Sequence, residues 1–279
     1  MPEQKSVIYE WDSLLPPKML EPNTFDCLVT SPPYFQMVDY GHPDQLGHEK
    51  TVSVYLFNLR RVFSNLMPYL KNRAVLAINI ADTQNALSPV RGEGQRNKST
   101  EWSHRRPLQE GYAEGASLNI PGRLVAALQQ IPNLHFLGQQ TWDKGSSYRR
   151  TKLGPRDSEP ILFFVYQDLS WDKRLKPLYY KPWNSSIMQF PTTGNSYHIA
   201  PYPIPLVSDI LQHICPPEGH VIDPFIGSGS TYFAAQNYGA ITTGFDLTLS
   251  SFGGRINKLD PYGISYPRKY YDDKIVLGE

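Results

Sequence analysis

HVIDPFIGSGSTYFAAQNYGAITTGFD, residues 220–246, is the stretch that decides the fold. Val221-Ile222-Asp223 is a short apolar run ending on an acid and reads as a buried strand. A glycine-rich turn follows, Asp223-Pro224-Phe225-Ile226-Gly227-Ser228-Gly229-Ser230. Thr231 to Tyr238 reads as a helix stopped by Gly239. Ala240 to Phe245 is the next strand, closing a strand–helix–strand unit that requires a parallel pair.

The same rhythm extends outward. Phe25 to Thr30 is a strand running into Ser31-Pro32-Pro33-Tyr34, where two prolines end ladder pairing. Residues 52–70 repeat Tyr55, Leu59, Val62, Phe63, Leu66 and Leu70 at helical spacing. Ala74 to Ile80 is a continuous apolar run, the pattern of a strand covered on both faces. Pro121 opens a helix over 121–131, and Pro205 opens another with Leu206, Ile210, Leu211 and Ile214 on one side. His135 to Trp142 and Ile161 to Tyr166 are further strands. The expectation is an α/β fold: a doubly wound, mostly parallel, Rossmann-like sheet. Two stretches break the rhythm. Residues 84–117 are polar and too long for a plain connection. Residues 168–203 are rich in Pro, Trp, Tyr and Lys. The chain divides accordingly into 1–167, which carries the catalytic part and the 84–117 loop, a small appendage at 168–203, and 204–279, the cofactor-binding part of the same domain.

With 279 residues and 40% hydrophobic content, the chain has enough apolar material for one sizeable core. No apolar run approaches the roughly 18 residues of a membrane span, and the first residues lack a secretory pattern, so the expected location is the cytoplasm. Two cysteines, Cys27 and Cys215, make neither a disulfide framework nor a zinc site. The formal net charge of +1 conceals segregation. Residues 144–156 carry +5, 173–181 carry +4 and 91–106 carry +3, which leaves the remainder at −11. Any one of these is an ordinary solvated loop; three together fit a polyanion, and nucleic acid is the expected partner.

The turn at 223–230 is neither G-x-G-x-x-G nor a Walker loop, and no Lys or Arg stands in it to meet a phosphate. The following strand ends at Asp246, 23 residues after Asp223. A carboxylate at that spacing can accept hydrogen bonds from ribose hydroxyls. A cofactor with a ribose and an ammonium group but no phosphate suits the site, and S-adenosylmethionine has that chemistry. Asp223 is expected to face its amino group and Phe225 to pack near its adenine. Ser-Pro-Pro-Tyr suits the other half of a methyl transfer. An exocyclic amine is a poor nucleophile because its lone pair is delocalised. Two acceptors, the Ser31 hydroxyl and the Pro32 carbonyl, can hold its N–H bonds while Pro32 and Pro33 stiffen the turn. Tyr34 offers a ring on which a base taken out of the duplex can stack. In the following stretch, 35–47, His42 reads as a surface loop residue.

These motifs resemble those of the β-group amino-methyltransferases of restriction–modification systems. Thr30-Ser31-Pro32-Pro33-Tyr34 resembles the N4-cytosine version of the catalytic tetrapeptide; adenine-N6 enzymes more often have Asp where Ser31 stands. Asp39-Tyr40-Gly41 through Gln45-Leu46-Gly47, Asn79-Ile80-Ala81-Asp82, Trp142-Asp143-Lys144 with Arg149 and Glu159-Pro160-Ile161-Leu162, and His198-Ile199-Ala200-Pro201-Tyr202-Pro203 are similar to further family segments. Ile199 and Tyr202 depart from the usual Pro and Phe, and Thr248 to Gly254 from the usual helix. The resemblance implies a site-specific DNA methyltransferase acting on cytosine N4 in double-stranded DNA, with Ser31, Pro32, Pro33 and Tyr34 catalytic. It implies S-adenosyl-L-methionine contacts at Asp223, Pro224, Phe225, Gly227, Gly229, Ser230 and Asp246, with Asp12, Thr30, His198 and Tyr202 beside them. Arg149, Arg150, Lys152, Lys173, Arg174, Lys176 and Lys181 are the expected DNA contacts, with 168–203 as a small target-recognition region that also holds Trp183 and Asn184. No metal is needed. Two alternatives stay open: adenine N6 as the target, and a non-catalytic DNA-binding protein on the same sheet. A cytosine-C5 enzyme would need a Pro-Cys nucleophile, and here Cys215 precedes Pro216 instead.

Overall fold

The computed structural model describes residues 5–87, 91–92, 107–145, 150–151, 154–155, 157–170, 172–192, 202–249, 268–271 and 274–277. In chain order the elements are β1 (Val7–Glu10), β2 (Phe25–Thr30), β3 (Val38–Asp39), α1 (Val52–Leu66), β4 (Leu70–Asn79), β5 (Arg91–Gly92), α2 (Ile120–Leu128), β6 (Leu134–Asp143), β7 (Arg150–Thr151) and β8 (Gly154–Pro155). They continue with β9 (Ser158–Tyr166), β10 (Ile187–Gln189), α3 (Ile204–Ile214), β11 (His220–Asp223), α4 (Ser230–Tyr238), β12 (Ile241–Asp246), β13 (Arg268–Tyr271) and β14 (Lys274–Leu277).

One sheet has the order β10-β6-β9-β4-β2-β11-β12-β1-β14-β13. From β4 to β1 every pairing is parallel. β9 runs against β4 and β6, and β14 against β1. The apolar runs explain the centre: all six residues of β2 are buried, because both faces are covered. Leu28, Leu76 and Ile78 pack with α1 and α2 on one face. Cys27, Val29, Val75 and Ala77 pack with α3 and α4 on the other. That alternation is the period of two of a strand. Mostly parallel strands with helices on both faces bear out the α/β expectation.

Element limits move for local reasons. The helix expected over 52–70 ends at Leu66; Pro68 lies in a one-turn 3-10 helix over Met67–Tyr69, since a proline removes a helical donor. The strand expected from Ala74 starts at Leu70. The patterns did not reveal β1 and the β13–β14 hairpin, which together extend one side of the sheet, nor β10 at the opposite edge.

The topology fixes where a site can form. From β2 the chain crosses through α1 to β4; from β11 it crosses through α4 to β12 on the other side. β2 and β11 are neighbours, so their carboxyl ends flank the crevice where crossovers part, the usual ligand position in such sheets.

Candidate active site

Thr30 and Asp223 end those two strands, and their side chains join. Thr30 Oγ1 donates to Asp223 Oδ1 at 2.6 Å, across 193 residues of sequence. Phe225 N–H donates to the same oxygen at 2.9 Å, while Thr231 and Tyr202 hydroxyls donate to Oδ2 at 2.6 and 3.3 Å. Tyr202 and Thr231 also contact each other. Asp223 is completely buried. Desolvation pushes its carboxyl up, and the Thr231, Thr30 and backbone hydrogen bonds oppose that shift. The expectation that Asp223 faces the cofactor therefore needs correction. Its oxygens are taken by four donors, and it works beneath the crevice as the tie between tetrapeptide, glycine turn and α4.

The glycine turn reaches into the open space instead. Gly227 and Gly229 adopt φ of +51° and +81°, a region that disfavours side chains. Gly227 N–H donates to Asp246 Oδ2 at 2.8 Å. Gly229 caps α4 and donates to Ile226 O at 2.8 Å. Two adjoining cavities open here. The larger, about 770 Å³ with the space open to solvent included, is walled by Trp11, Asp12 and Ser13 after β1, by Pro224, Phe225 and Gly227 of the turn, and by Asp246, Leu247 and Thr248 at the end of β12. Burial pushes the Asp246 carboxyl up to about 6, with the nearby Asp223 adding to the shift. The smaller, about 360 Å³, is bounded by Pro32, Tyr34, Tyr202, Ser228 and Ser230. Ser31, Tyr40, Phe225 and Gly227 line both. The two loops thus meet at one carboxyl edge.

The tetrapeptide is pinned from below. Tyr55 of α1 donates to the Pro33 carbonyl at 2.8 Å. The Tyr34 hydroxyl lies 2.8 Å from both Asn79 Oδ1 and Glu159 Oε2. Burial, and then the Glu159 charge, hold that phenol well above its ordinary value. Ser31 Oγ is 3.3 Å from Asn79 Oδ1. Lys144 pairs with Glu159.

Sequence reasoning placed most of these residues and misplaced some. Ser31, Pro32, Pro33, Tyr34, Asp12, Pro224, Phe225, Gly227, Ser230, Tyr202 and Asp246 line one cavity or both; Thr30, Asp223 and Gly229 lie behind the surface. His42, a loop residue as expected, also lines the larger cavity; loop 35–47 folds back, with Gln36 N–H donating to Gly47 O at 2.6 Å. Trp11 and Ser13 were missed with β1, whose four residues are too few to show a period. His198, Arg149 and Lys152 lie outside the described residues, and Arg150 is described only as backbone of β7.

The four basic residues of 173–181 also need correction. The Lys176 carbonyl accepts from Arg73, Leu178 N–H donates to Arg73 O at 2.7 Å, and Lys181 N–H donates to His213 O at 2.8 Å. Arg73 lies in the first half of β4 and His213 near the end of α3, ahead of β11, so Lys173, Arg174, Lys176 and Lys181 lie toward the amino edge of the sheet. From Arg73 to Asn79 is about 20 Å along β4. Arg174 and Lys176 are moreover paired with Asp172. Trp183 is not free to read bases: its ring stacks on His213 at 4.1 Å and its Nε1 donates to Asp209 of α3 at 2.9 Å. By contrast, β6 ends and β9 begins on the catalytic edge, opposite each other at Asp143 and Ser158. The basic segment between them leaves from that edge and returns to it, as does the stretch beyond β4.

The sequence matches the DNA methylase model of the N6/N4 type over residues 25–251, which spans both loops. This chain belongs to that family of DNA methylases. The methylase is similar to the type II methyltransferase M.SmaI of Serratia marcescens, at 27% identity over 82% of each chain. It is similar to M.Cfr9I of Citrobacter freundii, at 24% identity over 91% of this chain and 87% of the relative. The fold of the methylase matches the PvuII cytosine-N4-specific DNA methyltransferase with a TM-score of 0.62, at 13% identity over 92% of this chain and 87% of that one. It also matches a putative DNA modification methylase of Thermus thermophilus, solved with S-adenosyl-L-methionine, with a TM-score of 0.63 at 18% identity over 91% and 94%. No described helix of the methylase is long and apolar enough to cross a membrane.

Proposed function

We propose that this methylase transfers a methyl group from S-adenosyl-L-methionine to N4 of a cytosine extruded from duplex DNA, as the modification enzyme of a restriction–modification system. The observation that carries the reading is Ser31 on the wall between the two cavities. A serine there offers the amine a neutral acceptor and sets it beside the methyl donor. The relatives' names as type II methyltransferases support the restriction–modification setting.

The larger cavity fits the cofactor by its donor set. Among the described residues its wall has the carboxylates of Asp12, Asp44 and Asp246 and no Lys or Arg, which favours a cationic ligand without phosphate. Asp246 would take the ribose hydroxyls, Asp12 the adenine amine, and Pro224, Phe225 and Gly227 the remaining contacts. Bound there, the cofactor supplies an electrophilic methyl group on sulfur. In the smaller cavity Ser31 Oγ and the Pro32 carbonyl would hold the amine, with Tyr34 and Phe225 bounding the base. Holding the reacting atoms in attack geometry is the principal contribution such a site can make. DNA would lie across the carboxyl edge, with Arg149, Arg150, Lys152 and the 84–117 stretch toward its phosphates.

The test is mass analysis of nucleosides from DNA treated with the protein and cofactor. N4-methylcytosine is expected; N6-methyladenine in its place overturns the base assignment. Calorimetry with cofactor alone separates the non-catalytic alternative, which requires no binding.

A further inference from the structure

Behind the tetrapeptide stands an ion pair whose role the reaction above leaves open. Glu159 lies at the start of β9, one residue before the Pro160 carbonyl that accepts Asn79 Nδ2 at 3.3 Å. Its side chain is only 12% exposed and that of Lys144 is 19% exposed. A pair so far removed from water returns little net fold stability, because desolvation offsets the attraction.

The proton count around Tyr34 is what gives this pair a consequence. The phenol has one proton and two acceptors at equal distance, Asn79 Oδ1 and Glu159 Oε2, both at 2.8 Å. The Pro160 carbonyl accepts Ile80 N–H and Asn79 Nδ2, each at 3.3 Å, and turning the Asn79 amide over would set two acceptor oxygens against each other, so its oxygen faces the tetrapeptide. Both positions around Tyr34 are therefore acceptors. Hydrogen bonds to ionised acceptors are roughly twice as strong as neutral ones, so the Tyr34 proton goes to Glu159. The Ser31 proton is then left with two inward acceptors, Asn79 Oδ1 at 3.3 Å and the Tyr34 oxygen at 3.4 Å. With its proton directed inward, Ser31 keeps its lone pairs for the cavities.

We propose that Glu159, held by Lys144, is a positioning residue for methyl transfer: it takes the Tyr34 hydroxyl proton and so leaves Ser31 as an acceptor toward the amino group of the base. This rests on the reading of Ser31 given above. Removing the carboxylate lets Tyr34 compete for Asn79, which leaves only the longer contact with the Tyr34 oxygen to hold the Ser31 proton away from the incoming N–H bonds.

The test is a double-mutant cycle on the full chain, with Tyr34→Phe and Glu159→Gln, followed by single-turnover methylation of duplex DNA at saturating cofactor. Glu159→Gln is expected to slow the turnover about tenfold while cofactor and DNA affinities stay within about twofold. In the Tyr34→Phe background the same change is expected to cost less than about twofold, since the hydroxyl it acts through is gone. Equal losses in both backgrounds overturn the proposal, as does a loss that falls wholly on cofactor or DNA affinity. Lys144→Gln gives a second cycle with Tyr34→Phe if Glu159→Gln does not fold: a loss of at least about threefold that disappears with the hydroxyl is expected, and an additive one overturns it. Wild-type protein that methylates no base sinks the function itself. Wild-type methylation with an additive cycle sinks only the role of Glu159.

Discussion

At the scale of the residue, two acids of the same site do opposite work. Asp223 spends its oxygens on Thr30, Phe225, Thr231 and Tyr202 and is shut away. Asp246 receives Gly227 N–H and still faces the larger cavity. The Asp246 carboxyl titrates near 6 rather than at its ordinary 3.8. Ribose hydroxyls donate to the ionised form, so cofactor binding favours deprotonation. Affinity for S-adenosyl-L-methionine is expected to rise as pH increases from about 5 to about 7 and then level off, on either side of that titration; calorimetry across that range, with Asp246→Asn expected to be weak and flat, checks it. For folding the sign is reversed. A carboxyl whose folded value is raised favours the folded state below about 4, and that contribution is lost as pH climbs through about 6. Ser31→Ala is expected to lower the methylation rate by about ten- to a hundredfold, roughly 1.4–2.7 kcal/mol, with DNA affinity nearly unchanged, since the contact tightens in the transition state. Parallel losses in rate and DNA binding would contradict that role.

At the scale of the element, the return loop shapes the tetrapeptide. Gly47 holds φ of +95°, and a Cβ there would stand 3.0 Å from the Tyr34 carbonyl oxygen. Backbone strain of this kind costs about 1–3 kcal/mol. Gly47→Ala is expected to lower the melting temperature by several degrees and to cut activity more than Gly41→Ala, where a Cβ meets open space. Melting curves and rates for the pair settle the matter; equal behaviour would mean that the close approach to Tyr34 is immaterial. The helices α3 and α4 were legible from Pro205 and from Gly239. β1 was not, although it positions Trp11, Asp12 and Ser13: four residues give no period to read, and its strand character comes from pairing with β12.

At the scale of the whole molecule, two basic segments join the sheet at different edges. The 144–156 segment departs from and returns to the carboxyl edge, while Lys173, Arg174, Lys176 and Lys181 lie toward the amino edge. Neutralising Lys173, Lys176 and Lys181 together to Gln is expected to leave DNA affinity within about twofold and its salt dependence unchanged. Arg150→Gln with Lys152→Gln is expected to weaken binding across sequences and to flatten the salt slope by about one per lost phosphate contact. Binding titrations at several salt concentrations discriminate; equal effects from the two sets would mean that both edges touch DNA.

The sequence by itself determined the central strands of the sheet, its helices on both faces and the two loops that make the site. Apolar runs, prolines and glycines act locally, and their spacing is visible in one dimension. Tertiary structure alone decided which charged side chains share an edge with the site, that Asp223 lies beneath the crevice rather than in it, and that Glu159 reaches Tyr34. Strand direction sets those relations: β9 runs against β4, so its first residues meet the catalytic loop and the chain beyond its end falls at the opposite edge.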